Sequence, residues 1–237
     1  MKSTLVIGMS VLAAAVVFQC GYIGLRLNEA LARAEDSSAF QLLQPDAAAQ
    51  ILVVGDDTGV GTGAALPSAS VAGQIAQRYP CVNVVNRARD GAVMRDLAAQ
   101  IDGTGNTHFD LLLVQAGAND TLRFTGADAL GDAAAAVLAR ARTRADHVVF
   151  MNSIRPGNGW LLPPVRGWYQ RQARATARIL GRAAQAAGVE YVDAQGAETA
   201  DPAASRSAKR LHPDDETYAR WFRLLMRQSQ IGSVLQC

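Results

Sequence analysis

From residue 51 onward, short apolar runs alternate with amphipathic stretches. Ile51–Val54, Val82–Val85, Asp110–Gln115, Val148–Met151 and Glu190–Val192 read as strands. They are short, rich in Val, Ile and Leu, and flanked by Gly, Asn, Asp or Pro. Ser68–Arg78, Ala92–Ile101, Ala127–Arg144, Val165–Ala187 and Asp214–Gln228 read as helices between and after them. Asp214 and Asp215 suit the start of the last helix, where negative charge meets the positive end of the peptide dipoles. Strands that alternate with helices predict an α/β fold. Its sheet should be parallel and five-stranded, with helices on both faces.

Ahead of this pattern lies a different one. Thr4–Leu25 is an apolar run broken only by Gln19, Cys20 and small residues. About 20 apolar residues span a bilayer as a helix, and the apolar core of a cleaved signal is usually shorter. The run therefore predicts an uncleaved N-terminal membrane anchor over residues 1–25, a single transmembrane helix. Lys2 lies on one side of it and Arg26 and Arg33 on the other, so charge does not fix its orientation. Residues 26–50, rich in Ala, Leu, Glu and Gln, read as a helical stalk and linker. Residues 51–237 then form one domain, expected on the extracytoplasmic, periplasmic side.

Composition changes this picture little. The 237-residue chain is 49% hydrophobic with a net charge of +2, which permits a sizeable core. It gives no reason to expect nucleic acid as a partner, since no basic stripe is interleaved with aromatics. Cys20 falls in the anchor, leaving Cys81 and Cys237. Both are expected at the end of the sheet away from the strand carboxyl ends, so two readings stand: a disulfide in an oxidising compartment, or two unrelated thiols.

Candidate chemistry gathers at the carboxyl ends of the predicted strands, where open α/β sheets bind ligands. Gly55-Asp56-Asp57-Thr58 follows the first strand, Asn86 to Gly91 the second and Gly117-Ala118-Asn119-Asp120 the third. Leu211-His212-Pro213 precedes the last helix. His108 and His147 each precede a strand, at the opposite end, and read as structural. Gly59-x-Gly61-x-x-Ala64 echoes a dinucleotide fingerprint. However, no acidic residue ends the second strand and Pro67 delays the helix, which argues against it. No motif requires a metal or cofactor.

These blocks, in this order, resemble the SGNH (GDSL-type) hydrolase family over roughly residues 50–230. That family carries Gly-Asp-Ser after its first strand, a glycine after its second and Gly-x-Asn-Asp after its third. Asp-x-x-His-Pro stands before its last helix. The counterparts here are Gly55-Asp56-Asp57, Gly91, Gly117-Ala118-Asn119-Asp120 and Lys209-Arg210-Leu211-His212-Pro213. The resemblance implies a flavodoxin-like, three-layer sandwich and ester (acyl) hydrolysis. His212 would be the base, and Gly91 and Asn119 the oxyanion-hole donors. Gly55, Asp56, Gly117 and Asp120 would support the motifs. A small acyl or ester ligand is implied as partner.

Two positions depart from the family pattern. Asp57 stands at the nucleophile position and Lys209 at the position of the acid that orients the base. A carboxylate has no proton for His212 to remove, and it puts negative charge where an oxyanion should develop. Lys209 cannot accept a hydrogen bond from imidazole. Thr58 points elsewhere along a sharp turn, and Asp193, Asp214 and Asp215 are candidate replacement acids. Three readings therefore stand: a hydrolase with an unorthodox site, in which Asp57 is tolerated or attacks at carbon; an inactive homologue that binds an acyl or carbohydrate-ester ligand; and a structural or partner-binding protein of the cell envelope.

Overall fold

The computed structural model describes residues 17–22, 24–25, 28, 36–155, 161, 165–196 and 212–236. Their elements run β1 (Ala49–Gly55), α1 (Asp57–Val60), α2 (Val71–Arg78), β2 (Val82–Asn86), α3 (Leu97–Asp102) and β3 (Phe109–Ala116). They continue with α4 (Ala118–Leu122), α5 (Ala127–Arg144), β4 (Ala145–Asn152), α6 (Val165–Ala187), β5 (Glu190–Asp193), α7 (Asp215–Gln228) and α8 (Ile231–Val234). Five strands pair in parallel in the order β2-β1-β3-β4-β5.

Strand side chains alternate between two cores, because successive residues point to opposite faces. Leu52, Val54, Leu112, Val114 and Phe150 face one side and pack with α3, α5 and α6. Ile51, Val53, Leu111, Leu113, Val149 and Met151 face the other and pack with α2, α7 and α8. This is the three-layer sandwich expected. β1 and β3 are covered on both faces, which explains their nearly unbroken apolar runs. The strand order puts β1 beside β3, with β2 on its other flank, so the β1 and β3 carboxyl ends are neighbours.

One expectation changes. Residues 36–48 are not a helical stalk. They run extended along β2: Leu42 forms an antiparallel bridge with Val84, Gln41 Nε2 donates to the Asn86 carbonyl at 2.6 Å, and the Gln44 N–H donates to Asn83 Oδ1 at 2.6 Å. Glutamines that look helical in sequence here satisfy the backbone and amide of an edge strand, and Pro45 follows them directly, which disfavours helix at the residue before it. The anchor expectation falls mostly outside the described residues. Among those described, no helix is long and apolar enough to cross a membrane. Residues 17–22 are helical, and Tyr22 packs against the core on the α3–α5–α6 side.

Cys81 is disulfide-bonded and Cys20 is free. Cys237 lies outside the described residues, but the Cys81 sulfur sits 4.0 Å from the carbonyl oxygen of its neighbour Gln236.

Candidate functional site

The site forms where β1 and β3 end. Asp56 caps α1: its Oδ1 accepts the Thr58 N–H at 2.9 Å and the Thr58 hydroxyl at 2.7 Å. Its Oδ2 accepts the Ala118 N–H at 3.2 Å, which ties the β1 end to the start of α4. Asp56 is fully buried. Burial, and next the charge of Asp57, push its carboxyl up to about 7 against the pull of those three donors. Asp120 holds the next loop: its carboxylate takes the Met94 N–H and the Thr125 hydroxyl, each at 2.9 Å. Burial raises its pKa as well. Asp56 and Asp120 thus pin backbone, as does Gly55, whose N–H and carbonyl are both bonded by the buried Gln100 side chain.

Asp57 opens α1 and is half-buried. Its two oxygens meet the two donors expected for an oxyanion hole. The Gly91 N–H donates to Oδ1 at 2.5 Å and Asn119 Nδ2 donates to Oδ2 at 2.9 Å. Gly91 has φ +72°, a left-handed conformation that L side chains rarely adopt. Asn119 is buried, and its second amide hydrogen goes to the Ala92 carbonyl at 3.1 Å. It stands on the first turn of α4, which Gly117 precedes as its N-cap. Asp57, Gly91 and Asn119 thus meet in one place, and there the two donors expected for a hole are bonded to the chain's own carboxylate.

Asp90 joins this group. Partial burial raises its pKa, and the charge of Asp57 adds to the rise. It also accepts from the Thr62 hydroxyl at 2.5 Å and the Ser37 hydroxyl at 3.0 Å. Neither Asp90 nor Ser37 was singled out from sequence. For Asp90 the available signal was its place directly before Gly91. For Ser37 there was none, because its partners are 25 and 53 residues away.

His212 is half-buried. His212 and Pro213 lie so close to Gly63 (φ +93°) that a Cβ there would fall 2.8 Å from the His212 Cβ and would collide with the Pro213 carbonyl. The Gly63 loop is in turn held by Thr62, whose carbonyl accepts the buried Tyr218 hydroxyl at 2.9 Å. Arg155, buried at the end of β4, donates to the His212 carbonyl at 3.3 Å. Arg155 also escaped the sequence reading. Lys209 lies outside the described residues.

Asp193 accepts from Asn152 Nδ2 at 3.0 Å. Asp214 caps α7 by accepting from the Thr217 N–H and hydroxyl, and Asp215 accepts the Ala65 N–H at 2.8 Å. Each of these candidate acids thus spends at least one bond on structure. Thr58, as expected, is turned to Asp56 and buried. His108 pairs with Asp146 at 2.8 Å and His147 with Glu190 at 3.3 Å, at the amino ends of the strands. Among the described residues no group of three or more His, Cys, Asp or Glu is placed to hold a metal ion.

The family model for GDSL-like lipase/acylhydrolase proteins matches residues 53–220, more than half of the chain and all four strand-end blocks. The chain belongs to the GDSL-like lipase/acylhydrolase family. No curated protein matches it in sequence. The GDSL-like fold is shared with several solved structures. One titled "Crystal Structure of TesA" is 20% identical, with TM-score 0.62 over 78% of this chain and 99% of that one. A catalytic mutant of an acetylxylan esterase from Geobacillus stearothermophilus is 18% identical, with TM-score 0.60 over 78% and 96%. A member of the lipolytic G-D-S-L family from Veillonella parvula is 14% identical, with TM-score 0.63 over 75% and 96%. At these identities the likeness is one of fold. Within the GDSL-like domain here, the strand-end cluster offers a carboxylate fixed by two donors and three neighbouring carboxyls, Asp56, Asp90 and Asp120, whose pKa values are raised.

Proposed function

We propose that this GDSL-like protein of the cell envelope does not carry out ordinary serine-esterase chemistry, and that its cleft binds an acyl or carbohydrate-ester ligand without cleaving it. The observation that carries this reading is the pair of hydrogen bonds from Gly91 and Asn119 to Asp57. Ester hydrolysis needs those donors free for the oxygen on which charge develops. Here they stabilise a charge already present before any substrate arrives. A substrate carbonyl meets a filled hole and no hydroxyl nucleophile.

The same bonds weigh against Asp57 as a nucleophile. A carboxylate with both oxygens held by donors has its charge stabilised in the ground state, which raises the barrier to attack. Removing members of a hydrolase triad costs several powers of ten in rate, and position 209 carries lysine beside this change. A placement outside the cytoplasm is supported by the disulfide at Cys81, since such bonds persist in oxidising compartments. Cys237 is its proposed partner, because Cys20 is free and the chain has three cysteines.

The test is hydrolysis of short- and medium-chain aryl esters by the full chain in detergent. The natural protein is expected to be silent. The Asp57→Ser, Lys209→Asp double variant, which frees the hole and supplies a hydroxyl and an acid, is expected to turn over. Turnover by the natural protein that disappears in His212→Ala would overturn the proposal.

A further inference from the structure

A second feature of the molecule lies outside the Asp57 cleft. A groove of about 710 Å³ runs between α6 and the edge strand β5. β5 is separated from β1 by β3 and β4, so the groove stands about 14 Å from the β1 end in sheet spacing alone. One wall is a row of guanidinium groups: Arg171, Arg174, Arg178 and Arg182, at steps of three, four and four along α6. That spacing puts them on one helix face over about 16 Å. All four are exposed.

Among the described residues their charge is not neutralised locally. α6 carries five arginines and no acidic residue. None of the four forms an ion pair among the described residues, whereas Arg140 pairs with Asp102 and Arg220 with Glu216. The chain as a whole is only +2, so without α6 it would be negative. Closely spaced like charges on one helix face repel each other. A protein that keeps such a row in a concavity, beside one carboxylate, Asp193, among the described lining residues, has a place for an anion with several charges in line.

We propose that this groove binds an acidic polysaccharide of the uronate type, lying along α6. Planar guanidinium groups match carboxylates in a two-point geometry. A linear polymer with one carboxylate per sugar meets successive arginines. Two features disfavour other polyanions. The aromatic of the groove, Tyr191, is packed edge-on against Phe150 and bonds its hydroxyl to the Ala177 carbonyl, so bases find no free ring to stack on. The exposed Phe124–Trp168 pair, which a lipid surface would use, is not part of the lining.

The full chain in detergent should bind polygalacturonate oligomers in a titration at low salt, weaken at high salt, and ignore neutral dextran. The triple variant Arg174→Gln, Arg178→Gln, Arg182→Gln should lose at least tenfold in affinity. A control that removes equal charge elsewhere, Arg95→Gln, Arg140→Gln, Arg227→Gln, should change it less than twofold. The Arg→Lys triple at the groove, which keeps charge without the fork, should fall between the two. Thermal melts that match the natural protein show that each variant is folded. No binding, an equal loss in both glutamine triples, or tighter binding to anionic vesicles or single-stranded DNA would overturn the proposal.

Discussion

The residue at 57 is one carboxylate, and its consequences reach the residue before it. Asp56 is buried, and the charge of Asp57 helps to raise its pKa to about 7. In an unfolded chain Asp56 titrates near the ordinary aspartate value of about 3.9. Between those values the folded state holds a proton that the unfolded state does not. This group's contribution to stability is therefore fully present below about pH 4 and is lost as pH rises towards 7. Asp57→Asn keeps the shape and removes the charge. The Asp56 carboxyl should then titrate lower, which carbon-detected NMR can follow. The fall in urea midpoint between pH 4 and 7.5 should become shallower in the variant, and an unchanged Asp56 titration would mean that the two groups do not communicate. Sequence showed two adjacent aspartates at a strand end, and the family pattern assigned the second to the nucleophile position. It did not show that the second aspartate takes both hole donors, because that depends on how Gly91 and Asn119 converge from two other strand ends.

Elements were legible where one physical rule governed them. α5 and α6 match the spans read from periodicity, since both are long and carry one apolar face. Strands were read one to three residues short at their ends, because polar end residues such as Asp193 and Asn152 still pair in the sheet. The short helices α1 and α4 were missed. Each is one turn or little more, too short for a period, and α1 depends on a cap from Asp56. The Gly63 loop shows how tertiary contact fixes such a segment. Gly63→Ala should cost about 1–2 kcal/mol from the left-handed backbone alone, with the collision against His212 and Pro213 added to it. Chemical denaturation would measure the loss. A change in the His212 titration would report displacement of that segment, and an unaltered stability would contradict the packing described.

At the scale of the whole molecule, strand order explains why three blocks spread over some 65 residues, from Gly55 to Asp120, meet. Parallel strands point their carboxyl ends the same way, and β1 lies between β2 and β3. The order of blocks in the sequence therefore foretold their meeting. The arginine groove was not foretold. In sequence those arginines look like the solvated face of a helix, and only the position of α6 against an edge strand makes them one wall of a concavity.

The strap of residues 36–48 has a consequence for how the molecule tolerates company. β2 is an end strand of the sheet, and an uncovered edge of that kind is a template on which other chains add strands. Leu42 covers part of it by pairing with Val84 on both sides of the bridge, at 3.1 and 2.7 Å. The strap's own glutamines close the bonds that flank it. Cutting the chain at residue 46 would leave the five strands complete and their edge bare. Such a shortened protein should self-associate in a concentration-dependent way in sedimentation, while one that begins at residue 36 stays monodisperse. Equal behaviour of the two would mean that the edge needs no guard. The segment that reads in sequence as a mere connector is, in the folded state, the cover of one sheet edge.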